Sequence, residues 1–168
     1  MIFLIFYVLA LLLAGVHLYF DKRQRTPRET ARVFLLWFLV VTVGVGGFFA
    51  FLGHTVFATQ TARSIGWPSG NPFQTEVAVA NLAIAVLGIL CYFVRGNFWT
   101  ATVIVASVWP LGDAVVHIQQ IIVAHNYAPN NAGIALYFGI LIPLTLIVLL
   151  LISRPWQEAV GSAQARVR

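Results

Sequence analysis

The sequence predicts an all-α integral membrane bundle of five transmembrane helices. Three observations carry that prediction. Only 9% of the 168 residues are charged and 60% are hydrophobic, whereas a soluble domain carries about 25% charged residues. The apolar residues collect into runs of about 20, the length that crosses a bilayer as a helix. The basic residues fall in alternate connections between those runs, as they do in a chain that weaves through a membrane.

The first run, Ile2–Phe20, lacks a positive region before it and a small-residue cleavage site, and its charges come after it. It reads as an uncleaved span with its N-terminus outside. Lys22, Arg23, Arg25, Arg28 and Arg32 fill the connection that follows. The second run is Val33–Gly53, with apolar character extending toward Ala62. The third is Pro72–Val94, the fourth Phe98–Val123 and the fifth Gly133–Ile152. Arg95 lies between the third and fourth, and Arg154, Arg166 and Arg168 follow the fifth. Nine of the ten basic residues therefore share one side, with Arg63 alone opposite. The positive-inside rule makes that side cytoplasmic. Residues 1–153 are expected to form the transmembrane domain and 154–168 a short cytoplasmic tail, in the plasma membrane. A lipid or partner patch is an alternative reading of the basic first connection, although topology already accounts for it.

The connections on the other side are rich in turn chemistry. Ile65-Gly66-Trp67-Pro68-Ser69-Gly70 is a stiff turn. Asn71-Pro72-Phe73-Gln74 reads as a helix start, with Asn71 as N-cap, Pro72 at the first position and Gln74 reaching back. Asn130 or Asn131 is expected to cap the last span. Tyr19, Trp37 and Trp99 are expected to be interfacial anchors. Gly44, Gly46, Gly47 and Gly53, with Ala78, Ala85 and Gly88, permit close helix approach. Pro110 and Pro143 fall inside spans, where each removes a helical hydrogen bond.

Composition also excludes functions. The single cysteine, Cys91, rules out an intrachain disulfide and dithiol redox chemistry. The few basic residues carry no nucleic-acid recognition motif. Five spans enclose little volume, which points to a homo-oligomer or to a partner membrane subunit.

The most informative stretch is Gly112-Asp113-Ala114-Val115-Val116-His117. A carboxylate and an imidazole within an apolar run are expensive in hydrocarbon, so they mark a candidate site. Four residues apart, they share one helical face. His54 and Glu76 are placed by depth in the same half of the bilayer, as are two supporting polar residues, Asn81 and Gln120. Two imidazoles and two carboxylates, from His54, Glu76, Asp113 and His117, suit a divalent transition metal such as Zn, Fe, Mn or Cu. Cys91 lies about 22 Å along the helix from Glu76 and is no ligand candidate. A haem held by His54 and His117 is a less favoured variant. Two other classes compete: a proton-coupled transporter in which Asp113 and His117 exchange protons, and a polar network that only joins helices or docks a partner. His17 and His125 read as interfacial.

Gly53-His54, Ile65-Gly66-Trp67-Pro68, the run Pro72–Ala83 with its Pro72-Phe73-Gln74, Glu76 and Asn81, Gly112-Asp113 and the Asn126 to Asn130 loop resemble a family of small polytopic bacterial and archaeal membrane proteins of unknown function. The resemblance covers roughly His54 to Gly133. It implies a helical membrane fold and no particular activity. The functional expectation is therefore a metal-binding membrane protein, with an enzymatic role on a lipid-like substrate left open. The alternatives are a transporter of a small solute or ion and a non-catalytic subunit of a larger complex.

Overall fold

The computed structural model describes residues 2–157. The elements are α1 (Ile2–Phe20), α2 (Pro27–His54), a short α3 (Ala58–Ile65), α4 (Phe73–Leu90), α5 (Asn97–Ala124) and α6 (Ile134–Ser153), with no strand among the described residues. Five of these, all but α3, are long and apolar enough to cross a membrane. Glu158, Arg166 and Arg168, and most of the expected tail, lie outside the described residues.

The second span begins earlier than hydropathy alone suggests, because its start is fixed by capping rather than by apolarity. Glu29 N donates to Thr26 Oγ1 at 3.3 Å, and Thr26 N donates to the Glu29 carboxylate at 2.8 Å, with Pro27 opening the helix. At its far end the helix does not run on toward Ala62. The backbone leaves the helical region at Thr55, and the chain turns into α3, which ends on a left-handed Gly66 (φ +79°).

α2 is the hub and packs against α1, α4, α5 and α6. Half of its most apolar window is buried, against 17% in α1 and in α4. Those outer helices turn most of their surface outward, which hydrocarbon tolerates because every backbone group is bonded within the helix. Between Phe38 and Val45 the turns of α2 widen to π-helical spacing, and the buried Thr42 donates its hydroxyl to Phe38 O at 2.6 Å.

α4 meets α2 backbone to backbone. A Cβ added to Gly88 would stand 2.4 Å from Gly44 N and 2.8 Å from Leu39 O. A Cβ on Gly47 would lie 3.2 Å from Ala85 Cβ and from Asn81 O. The small residues expected to permit close approach do so at these two crossings.

The end of the bundle that carries the basic residues is tied together. Arg28 Nε donates to Ser153 O at 3.0 Å, Arg28 Nη2 to Arg154 O at 2.9 Å, and Arg32 Nε to Ser153 O at 3.1 Å. These carbonyls end α6, where helical partners run out and positive charge is favourable. The large core residues Leu35, Phe38, Leu39, Trp99 and Leu146 sit in this half. Trp99 corrects an expectation. It is 2% exposed, donates Nε1–H to Cys91 O at 2.8 Å and lies under the Arg95 guanidinium, so it is core and not an interfacial anchor. Tyr19 is exposed as expected, while Trp37 is partly buried against His17.

Candidate ligand cavity

The half of the bundle away from the basic loop is hollow. A cavity of about 340 Å³ opens between the start of α1, the end of α2, α4, α5 and the start of α6. Its walls are mostly apolar, with Val43, Ile84, Ala106, Phe138 and Ile142 among them. The polar groups facing it are His54, Asn81, Asp113, His117 and Asn130, with the hydroxyls of Thr42 and Thr61. Three of the four expected ligands therefore share one chamber. The fourth does not: Glu76, one turn into α4, is exposed and off the cavity wall. Gln120 also lies off the wall, whereas Asn81 lies on it. Among the described residues, no three His, Cys, Asp or Glu side chains gather closely enough to hold an ion.

Each polar group can be followed to its hydrogen-bond state. Asn131, fully buried, donates its amide nitrogen to Asn126 O at 2.8 Å and, at 3.4 Å, to His117 O. Its oxygen then faces His117 Nδ1 at 2.7 Å, so Nδ1 carries the proton and the lone pair of a neutral ring is on Nε2. His54 repeats the arrangement with a longer bond, its Nδ1 lying 3.4 Å from Gln74 Oε1. Asn81 gives one amide hydrogen to Val77 O, and Asn130 gives one to Ser64 Oγ, both at 2.9 Å, and each amide keeps a second N–H. Thr42 and Thr61 donate to Phe38 O and Gly53 O. Asp113 is exposed, has no hydrogen bond or ion pair with any described residue, and is the one carboxyl group among the residues lining the wall.

The backbone adds to this pattern. Pro110 removes the helical donor to the carbonyl of Ala106, and Pro143 does the same for Gly139. All four of these residues line the cavity. The Trp109 indole N–H is a further donor on the wall. It lacks a partner, but its nitrogen has essentially no accessible surface.

A lid covers the hollow. α3 and the loop between α5 and α6 are joined by Asn126 Nδ2 to Ile65 O at 2.9 Å and by Asn130 N to Ser64 O at 3.0 Å. Trp67 stacks on His117 with ring centres 6.0 Å apart. Gly66 is needed here twice over, for its positive φ and because a Cβ would meet Asn126 Oδ1 at 2.6 Å.

Two capping assignments change. Asn71 Oδ1 accepts from Phe73 N at 2.9 Å, but the N-cap position of α4 is Pro72, without a side-chain cap, and Gln74 turns to His54 instead of reaching back. Neither Asn130 nor Asn131 caps α6, whose N-cap position is Gly133, without a side-chain cap. Asn131 instead latches His117 to the lid. The sequence gives little sign of this, because an Asn-Asn pair before an apolar run has a sufficient local explanation as a cap.

A family model of unknown function, DUF6790, matches residues 1–159. The chain belongs to that family. No curated protein and no solved structure matches it. For this member of DUF6790, the functional argument therefore rests on the chemistry of the cavity.

Proposed function

We propose that this chain is a multi-pass membrane protein that binds a small organic cation, an amine with an apolar body, in the cavity and releases it against a proton on Asp113. One observation carries the reading. The chamber gathers Asp113, a carboxyl with no hydrogen-bond partner among the described residues, with Nε2 of His54 and His117, amide oxygens and hydroxyl lone pairs. A carboxylate facing apolar walls is costly unless a cation joins it or a proton neutralises it. The volume, about 340 Å³, falls within the range of small-molecule sites. In this reading the basic end is cytoplasmic and the cavity lies toward the outer face.

The test is calorimetry on purified protein with hexylammonium and with hexanol, which share an apolar body and differ in charge. Hexylammonium should bind and hexanol should not, and Asp113→Asn should abolish the difference. Equal binding of both, or an unaffected Asp113→Asn variant, would refute the reading.

One observation favours a second reading, a metal site. Both cavity histidines have Nδ1 held by an amide oxygen and Nε2 left free, the arrangement that orients metal-bound imidazoles. His54, Asp113 and His117 would supply the ligands after inward movement of the lid, without Glu76. Zn, Fe, Mn or Cu co-purifying with wild type and lost in His117→Ala would favour it over the amine.

A further inference from the structure

The opposite end of the molecule holds a site of the reverse polarity. We propose that the groove between the cytoplasmic ends of α1 and α2 binds the phosphate of an anionic phospholipid, whose acyl chains lie along α1. The groove, about 540 Å³ and open, has an apolar wall of Leu13, Val16 and Phe20 and a polar rim of His17 and Lys22, with Trp37 at its back.

Apart from Asp21, its polar side chains offer donors. The Trp37 indole can only donate, and its Nε1 lies 3.2 Å from His17 Nδ1. His17 Nδ1 is therefore the acceptor, and the ring proton sits on Nε2, as a donor. Lys22 is exposed and pairs with no carboxylate among the described residues. Asp21 is the one acid among the described residues lining the groove, and Arg23 and Arg25 already cover it. It therefore repels an incoming anion little.

The occupant is a lipid and not a free anion because the donors stand above an apolar strip. Val16, Tyr19 and Phe20 are 51%, 77% and 75% exposed, the surface that an acyl chain and its glycerol region would cover. Basic residues at this level attract anionic headgroups by about a factor of five per charge.

The experiment is native mass spectrometry of the full chain released from detergent with equal amounts of phosphatidylglycerol and phosphatidylcholine. Phosphatidylglycerol adducts should predominate. Lys22→Gln should cut them about fivefold. Arg63→Gln, at the far end of the bundle, should leave them unchanged, and a thermal melt of each variant reports that it folds. Excess inorganic phosphate should not displace the lipid. Equal retention of the two lipids, equal loss in Arg63→Gln, or displacement by inorganic phosphate would each overturn the proposal. None of these outcomes depends on what the cavity binds.

Discussion

The two halves of α2 differ in almost every physical respect. Toward the basic end, Leu35, Leu36, Phe38 and Leu39 are buried to 2% exposure or less. Toward the other end, from Gly47 to His54, no residue is fully buried, and the helix faces a cavity. The first half is closed by guanidinium donors on the carbonyls of α6. The second half keeps acceptors without partners. Groups that are unfavourable in the fold persist only where the rest of the structure holds them in place, and here one half of a single helix supplies that support for the other. The halves also differ in what they attract: donors at one end favour anions, and acceptors at the other favour cations.

The strongest way to break the comparison is to attack the packed half. Gly88→Val would drive a side chain into the Gly44 backbone, which cannot yield as a flexible side chain could. The expected loss is about 3 kcal/mol or more, read as a drop in the detergent melting temperature. Gly15→Ala, with nothing within 4 Å of the added carbon, is the control and should hold stability or raise it by up to about 1 kcal/mol, since alanine favours a helix interior. Similar tolerance at both positions would mean that the rigid half is not rigid.

The next effect belongs to the hollow half and should leave the fold alone. Asp113→Asn removes the one carboxyl group on the cavity wall and should weaken hexylammonium binding about 100-fold. Its melting temperature should hold, since Asp113 bonds to no described residue. Smaller again is Asn131→Leu, which takes the acceptor from His117 and leaves Asn126 O without a donor, at a cost of about 1–3 kcal/mol. Hydrogen exchange should accelerate across the lid at 126–133 and stay unchanged at 27–37. Acceleration at both ends would show that the halves are coupled.

The fold was largely legible because hydropathy and charge alternation act over 20 residues at a time. Span ends depended on local chemistry, and the Thr26–Glu29 capping box extended α2 past its apolar run. Asp113 and His117 were legible as a pair because helical spacing fixes which residues share a face. Glu76 was placed by depth alone, and depth says nothing of rotation about the helix axis, so α4 could turn Asn81 to the cavity and Glu76 away. The lid was not legible at all. Asn126, Asn130 and Asn131 meet α3 and α5 through bonds spanning as many as 66 residues, for which a linear pattern has no signal.

The smallest expected effect concerns pH at the basic end. Hydrogen bonds from Arg23 hold the Asp21 carboxyl well below its ordinary value. A carboxyl depressed on folding stabilises the native state above its unfolded-chain value, about 3.9. That contribution is lost as pH falls below this point. From this group, the melting temperature should therefore be flat between about pH 8 and 5 and should decline only in acid. Asp21→Asn should flatten the acid decline and lower stability slightly at neutral pH, with the difference shrinking in high salt because the cluster faces water. The same variant sharpens the contrast between the two ends. Freed from Asp21, Arg23 and Arg25 would add their charge to Lys22 and strengthen phosphatidylglycerol retention, while hexylammonium binding at the far end stays the same. A gain for the cation instead would mean that the donor end and the acceptor end share one electrostatic field.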